Sequence, residues 1–145
     1  MANSIYGKAR QAFLEGLIDW ADGNIKILLV DTTDYTVDID VDQYCNKDTI
    51  PDAARVANGL SGNLSGKSVT LGVADAADET LSTVSGEECE AIVIFLDGGG
   101  GGVSQSGTDD LLIAYIDDAT GLPVTPNWGD IQIQWAATAN KIFKL

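Results

Sequence analysis

The sequence lacks several residues on which enzymes commonly depend. Its 145 residues include no histidine, two cysteines and one methionine. Histidine is the usual acid–base group near neutral pH and the commonest metal ligand. The chain also has no intact nucleotide-binding loop. These absences predict a protein that is not an enzyme and that carries no cofactor.

Basic residues are also scarce. Eight Lys and Arg stand against 22 Asp and Glu, which gives a formal net charge of −14. Binding of nucleic acid requires a basic surface that neutralises phosphates, so nucleic acid is not expected as a partner. Anionic membranes are disfavoured for the same reason. No apolar run approaches the ~20 residues that span a bilayer, so no membrane partner is expected either.

The two cysteines, Cys45 and Cys89, are too few and too far apart for a disulfide framework. Two half-buried free thiols are the main expectation, and a bridge within or between subunits is the alternative. The N-terminus has no apolar stretch typical of a secretory signal. Synthesis in a reducing cytoplasm is therefore expected.

What the sequence does contain is alternation of apolar and polar residues, punctuated by turn residues. This pattern is typical of sheets with one face on a core and one face in water. It predicts a mainly β fold, a single antiparallel β-sandwich or barrel-like domain over residues 1–145 with one N-terminal helix. Residues 43–66 are expected to form a long connection. Strands are expected at residues 25–31, 35–41, 68–73, 80–84, 91–96, 111–116, 131–135 and 141–145.

The N-terminal segment differs from the rest, because its apolar residues recur at helical spacing over residues 4–17. This helix carries two of the eight basic residues. It either packs on its own sheet, or reaches a partner through buried apolar area with its charges setting the register. The second hypothesis makes partner contacts of Ile5, Tyr6, Lys8, Arg10 and Phe13.

Three alternating carboxylates, Asp38, Asp40 and Asp42, are the only weak candidates for a cation site. An EF-hand would place Gly at position six and Glu at position twelve of this run, but Gln43 and Thr49 stand there. On a strand the three carboxylates would share one solvated face. A solvated face is the main expectation, and a weak or intersubunit cation site is the alternative.

Five consecutive glycines, residues 98–102, predict a flexible loop of about ten residues between two strands. An adaptable contact loop, with Gly100 at its centre, is the alternative. The three tryptophans form a possible sugar-binding platform, the basis of a carbohydrate-binding alternative. Trp135 is expected in the core with its period-two face, and Trp128 is expected to be exposed in a turn next to Gly129.

Several of these stretches together resemble small virion proteins of tailed bacteriophages. The likeness rests first on the opening run to Trp20, which ends Gly-Leu-Ile-Asp-Trp, and on the Ile-Lys-Ile-Leu-Leu-Val-Asp run that follows a turn. It covers most of the chain, whereas the five glycines with Trp128 and Trp135 are individual to this sequence. The similar stretches are residues 4–20, 25–31, 34–37, 91–95, 112–117, 121–126 and 142–145.

The resemblance implies a β-rich virion component, present in many copies on a symmetric shell, with no catalytic residues. A capsid decoration (cement) protein that binds the major capsid protein is the first expectation. A tail-tube, connector-associated or fibre component is the alternative. The expected location is the virion, assembled in the bacterial host cytoplasm. Because strand edges in a small sheet protein must be covered, self-association, most simply as a trimer, is also expected.

Overall fold

The computed structural model describes residues 3–145 and contains one α-helix and nine short strands within that range. Single 3-10 turns lie at Asp52–Ala54 and Thr70–Gly72. The elements, in chain order, are β1 Ser4–Ile5, α1 Gly7–Leu14, β2 Ile25–Val30, β3 Arg55–Leu60, β4 Val73–Ala74, β5 Glu79–Leu81, β6 Ala91–Leu96, β7 Leu111–Ile116, β8 Ile131–Ile133 and β9 Phe143–Lys144.

A five-stranded antiparallel sheet forms the centre of the protein, in the order β1-β7-β6-β2-β3. β2, β6 and β7 are almost continuous apolar runs because both of their faces are covered. Two further pairs, β4 with β9 and β5 with β8, form separate two-stranded sheets. The expected mainly β, antiparallel fold with one helix near the N-terminus is confirmed.

The two faces of the central sheet are covered by different parts of the chain. Tyr115 lies opposite Val93 in the register, and the ring of Tyr35 contacts Tyr115 with centroids 6.4 Å apart. The next register position places Ile92 opposite Ile116, so this pair faces the other way. That second face looks towards the C-terminal segment, which we define as residues 117–145. No helix among the described residues is long and apolar enough to cross a membrane.

The N-terminal helix is shorter than residues 4–17, because both of its ends are fixed by specific hydrogen bonds. Ser4–Ile5 pairs with β7 as a strand before the helix begins. At the other end, Gly16 adopts φ +74°, and the amide of Leu17 donates to the carbonyl of Ala12 at 2.9 Å. This is the Schellman arrangement that ends a helix. The helix itself packs on β7 of its own sheet.

The strand expected at residues 35–41 is wrong. Burial does alternate there, with Tyr35 and Val37 more buried than Thr36 and Asp38. The segment nevertheless makes no ladder and ends in a turn, where the amide of Asp42 donates to the carbonyl of Asp38 at 2.9 Å. The apolar alternation therefore predicted correctly which side chains face the core, but it wrongly predicted that the segment pairs as a strand.

The connection expected at residues 43–66 is also wrong, because it contains β3. This strand pairs with β2 through Leu60 opposite Leu28 and Arg55 opposite Val30, with an irregularity between the two pairs. Asn58 adopts φ +60° within the irregular part. The strands expected at residues 91–96 and 111–116 are confirmed with those bounds as β6 and β7, whereas the other expected strands are shorter or displaced by a residue. Residues 68–73 supply a 3-10 turn and only the first residue of β4.

Candidate functional site

The two most exposed large apolar side chains of the described chain, Leu14 and Leu71, are chain neighbours of residues that line one groove beside the end of α1. Leu14 is 91% exposed and Leu71 is 89% exposed, and Leu17 is 57% exposed. Each is a chain neighbour of a residue that lines the groove. We name this surface the apolar groove. Its lining residues are Phe13, Gly16, Ile18, Asp19, Trp20, Val69, Gly72, Ala74, Phe143 and Leu145.

The floor of the apolar groove is built from aromatic rings that also close the core. Trp20 is buried and meets Phe143 edge-on with centroids 5.2 Å apart, and Phe13 lies 6.1 Å from Phe143. The indole of Trp20 donates to the carbonyl oxygen of Asp75 at 3.0 Å. The floor is therefore fixed, while the leucines at its rim remain in water.

The backbone conformation explains the exposure of Leu14 and Leu17 and shows strain at Leu71. The helix ends at Leu14, and the left-handed Gly16 turns the chain so that Leu17 also stays at the surface. Leu71 has φ +53°, a conformation that costs a branched side chain of this size energy. A side chain that is both strained and exposed contributes little to folding, which makes the rim a candidate for contact with a partner.

Three residues of the expected partner-contact set belong to the interior of the protein. Tyr6 is fully buried, and its hydroxyl lies 2.9 Å from that of Tyr35. Ile5 is half-buried and pairs with Ala114 in the sheet. Phe13 is half-buried on the groove floor. Tyr6 is consequently inaccessible to a partner in this fold, whereas Phe13 is reachable only from within the groove.

The two basic residues of α1 differ in exposure. Arg10 is exposed and Lys8 is half-buried. Arg10 lines a second cavity, between α1, β7 and the end of the chain, together with Ile5 and Lys144. Arg10 therefore remains a partner-contact candidate on the surface.

The glycine run is not a flexible linker, because carboxylates bind its amides. Asp97 Oδ1 accepts hydrogen bonds from Gly99 and Gly101 at 2.8 and 2.9 Å. Asp110 is buried and accepts hydrogen bonds from the other three glycines of the run, including Gly102 at 2.6 Å. Gly98 and Gly100 donate to Asp110 at 2.9 and 3.1 Å. The run lies between β6 and β7 as expected, but as a hydrogen-bonded loop in place of the expected flexible one, with Gly100 half-buried in it.

The three candidate cation ligands serve the protein's own backbone and side chains. Asp42 accepts the hydroxyl proton of Tyr35 at 2.8 Å and the amide of Asp38 at 2.9 Å. Asp38 in turn accepts the amides of Asp40 and Val41 at 3.3 and 3.2 Å. No group of three metal-binding side chains is found within residues 3–145. The run forms a self-bonded turn and not the shared strand face that was expected.

Burial keeps the hydroxyls of this cluster neutral. It raises the pKa of Tyr6 and Tyr35 well above the usual value, and the Asp42 carboxylate adds to the effect on both. A neutral tyrosine can donate to a carboxylate, which is what the Tyr6–Tyr35–Asp42 chain requires. The two tyrosines are buried, and with Asp42 they form a hydrogen-bond network that joins residues 35–42 to the segment before α1.

Both cysteines are free and buried. Burial raises the pKa of Cys45 to about 12, although Arg55 beside it favours the thiolate. Burial likewise raises the pKa of Cys89 to about 11. Because the thiolate is the reactive form, neither cysteine is poised as a nucleophile. Within one chain both thiols are free, and they are fully buried where half-burial was expected.

The three tryptophans do not form a platform. Trp20 is buried, and the half-buried Trp135 packs against the core with its indole donating to the carbonyl of Ala77 at 3.1 Å. Trp128 alone of the three is exposed, with 71% of its surface in water, as expected for a turn residue. A sugar platform made of three stacked rings is therefore excluded by the fold.

Sequence reasoning missed the leucine rim of the apolar groove. Leu14 lies off the buried stripe of α1 formed by Ala9 and Ala12, and this signal was present in the helical spacing. Leu71 and Leu145 had no such signal, because only the folded chain brings them near α1. A search against known proteins finds no matching family and no matching curated protein.

Proposed function

We propose that the protein is a bacteriophage capsid decoration protein that binds the major capsid protein through the apolar groove. The proposal rests on one structural observation, the exposed leucines around a preformed aromatic floor. Exposed apolar surface of this kind marks interaction sites in soluble proteins. The resemblance of the sequence to small virion proteins of tailed bacteriophages gives the class of partner.

The charge of the chain suits this role. A net charge of −14 keeps copies apart in solution by mutual repulsion until they dock. Docking then depends on apolar burial, which contributes roughly 25 cal/mol per Å² of apolar surface. No step of this function requires a catalytic residue, a metal or a cofactor. Assembly on the virion would use the groove as a fixed receptor for apolar side chains of the shell.

We also propose self-association on the shell, most simply as a trimer. The edges of the central sheet indicate that strand pairing between copies contributes little to this self-association. Tyr44 bridges Leu111 at the end of β7 that β1 does not reach, and Ser85 bridges Ala57 of the edge strand β3. Covered edges pair poorly with a second chain. Contacts between copies would therefore be made by side chains and loops around the shell's symmetry axes.

Reconstitution on particles that lack the protein tests the proposal. The variant is Leu14→Gln with Leu71→Asn, because glutamine suits a helix and asparagine tolerates the left-handed backbone. Val41→Ser is the matched control, since Val41 is also exposed, at 67%, but neither Val41 nor a chain neighbour of it lines the groove. We expect the double variant to fold normally and to lose at least about tenfold in affinity for the particle, while the control binds like the original protein.

Deleting residues 1–10 is an unsuitable test, because it would remove the buried Tyr6 and strand β1. Equal particle binding by the double variant and the original protein would contradict docking through the groove. Binding of the original protein to isolated tails and not to heads would contradict the decoration role and favour a tail component.

A further inference from the structure

The turn at residues 127–130 presents the exposed Trp128 on a backbone that is held in an unfavourable conformation. We name it the Trp128 turn. Trp128 has φ +69°, and Thr83 in the facing segment has φ +56°. Left-handed backbone is uncommon for non-glycine residues and especially so for a β-branched threonine. The fold therefore holds a large aromatic ring in water at a position that glycine would occupy more easily.

Hydrogen bonds fix this turn against the facing segment. The amide of Trp128 donates to the carbonyl of Val84 at 2.9 Å, and the amide of Val84 donates to the carbonyl of Gly129 at 3.0 Å. The amide of Thr83 donates to Asp130 Oδ1 at 3.3 Å. The ring is thus carried by an ordered support, which lowers the entropy lost when a ligand binds.

The surroundings of the turn are acidic and contain no basic residue near it in the chain. Residues 68–140 carry twelve Asp and Glu and no Lys or Arg. Asp130 uses Oδ1 within the turn, which leaves Oδ2 for a ligand. Glu88 Oε2 lies 3.2 Å from the hydroxyl of Thr125, which precedes Trp128 by three residues in the chain. An aromatic face beside carboxylates is the combination that binds a guanidinium or ammonium group.

We infer that the Trp128 turn is a recognition site for a basic side chain, foremost arginine, of a partner protein. The planar guanidinium stacks on the indole face while Asp130 Oδ2 accepts its hydrogen bonds. A second copy of this chain is a poor source of that side chain, since it carries the same charge of −14. The inference goes beyond the proposed function: the turn lies outside the apolar groove and requires no virion partner.

The test follows the indole N–H signals by NMR during titration with acetyl-tetra-arginine amide. The matched probe is acetyl-tetra-citrulline amide, which has the same shape without charge, and methyl glucoside tests sugar stacking. We expect the Trp128 signal to move with the arginine peptide alone, and to move less as salt is raised. Trp128→Gly, which suits the left-handed backbone, should abolish binding at the turn, as judged by the remaining backbone amides.

A pair of charge variants separates a local site from the general charge of the chain. Asp130→Asn keeps the oxygen that accepts from Thr83 and should weaken arginine binding roughly three- to fivefold. Asp34→Asn changes the net charge equally, at an exposed position outside the turn, and should leave binding unchanged. Equal effects of the two variants would overturn the inference, as would equal shifts with citrulline or no shift with arginine. A shift with methyl glucoside alone would replace the basic ligand with a sugar.

Discussion

The side chains of the central sheet are more deeply buried than those of the C-terminal segment. In β6 the first five residues are buried, and in β7 the middle four are buried. Residues 117–145 contain no fully buried residue, although several apolar side chains there pack against the core. Cavities remain between the two parts, including one walled by Ile92 on the sheet and Ile133 on the segment. The sheet therefore carries most of the stability, and the segment is free to present side chains such as Trp128 to a partner.

The largest expected difference between the two regions comes from removing one isoleucine in each. Ile94 is fully buried in β6, whereas Ile133 is half-buried in β8. Ile94→Ala should reduce the free energy of unfolding by about 3–4 kcal/mol, because it leaves a cavity in a closed core. Ile133→Ala should cost only about 1 kcal/mol, because the site already borders open space. Chemical denaturation measures both values, and equal losses would contradict the contrast in packing.

Two glycines with similar backbone conformation sharpen the comparison. Gly102 has φ +74°, and a Cβ there would lie 2.5 Å from the ring of Phe95. Gly121, in the C-terminal segment, has φ +96° and no atom within 4 Å of a Cβ. Gly102→Ala should cost roughly 3 kcal/mol from strain and overpacking, and Gly121→Ala about 1 kcal/mol from strain alone.

Thermal unfolding distinguishes these two contributions. Gly62→Ala serves as a further control, because Gly62 has neither a positive φ nor a neighbour within 4 Å of a Cβ. Its melting temperature should remain close to that of the original protein. If Gly102→Ala were as stable as Gly121→Ala, the glycine loop would be able to shift away from Phe95 at little energetic cost, contrary to this prediction.

Acid unfolding tests the ion pair that connects the sheet to the glycine loop. Lys26 Nζ lies 2.7 Å from Asp97 Oδ2, and this contact, with the amides of Gly99 and Gly101, lowers the pKa of Asp97 to about 2. A lowered carboxyl pKa favours the folded state at pH values above the ordinary value of 3.8. The stabilisation is therefore lost as pH falls from about 4 through 2.

Asp97→Asn should remove this pH-dependent part of the stability, so that the variant loses less on acidification between pH 4 and 2. Asp75→Asn is the matched control in the outer layer, where Asp75 pairs with Lys141 at 3.1 Å and both side chains are more exposed. The control should keep the original acid dependence. Circular dichroism across this pH range would contradict the assignment if both variants behaved alike.

The smallest expected effect is a gain in stability. Trp128→Gly relieves a left-handed backbone at a residue that is 71% exposed and so loses little burial. Relief of the left-handed backbone favours the variant, and the larger entropy of glycine in the unfolded chain offsets part of that gain. The variant should therefore be equal in stability to the original protein or more stable by up to about 1 kcal/mol. A loss above about 1 kcal/mol in a denaturant titration would show that the ring supports the fold.

Sequence patterns predicted the strands whose side chains are apolar on both faces, and they missed the strand that depends on its neighbour. β2, β6 and β7 follow directly from their apolar runs. β3 carries Asn58 and Gly59 in its middle, and it forms because β2 offers it hydrogen bonds. The glycine loop was misjudged for a related reason. Its conformation is fixed by Asp97 and Asp110, which accept hydrogen bonds from alternate glycine amides. No local sequence pattern predicts these bonds.

The candidate site was even less accessible to sequence reasoning. The apolar groove joins residues 13–20, 69–74 and 143–145, which only the folded chain brings together. Exposure of Trp128 was predicted correctly from its turn context, but its left-handed backbone was not. Fold class thus follows from local periodicity, whereas a surface assembled from distant segments requires the tertiary structure.

The most direct test of the central claim is a cryo-EM reconstruction of phage particles assembled with this protein. We expect the five-stranded sheet on the outside of the head at symmetry-related positions. Leu14 and Leu71 should lie against a capsid subunit, and the central sheet should keep its internal packing. Density for the protein in the tail would contradict the decoration role, and density on the head with the apolar groove facing solvent would contradict docking through the groove.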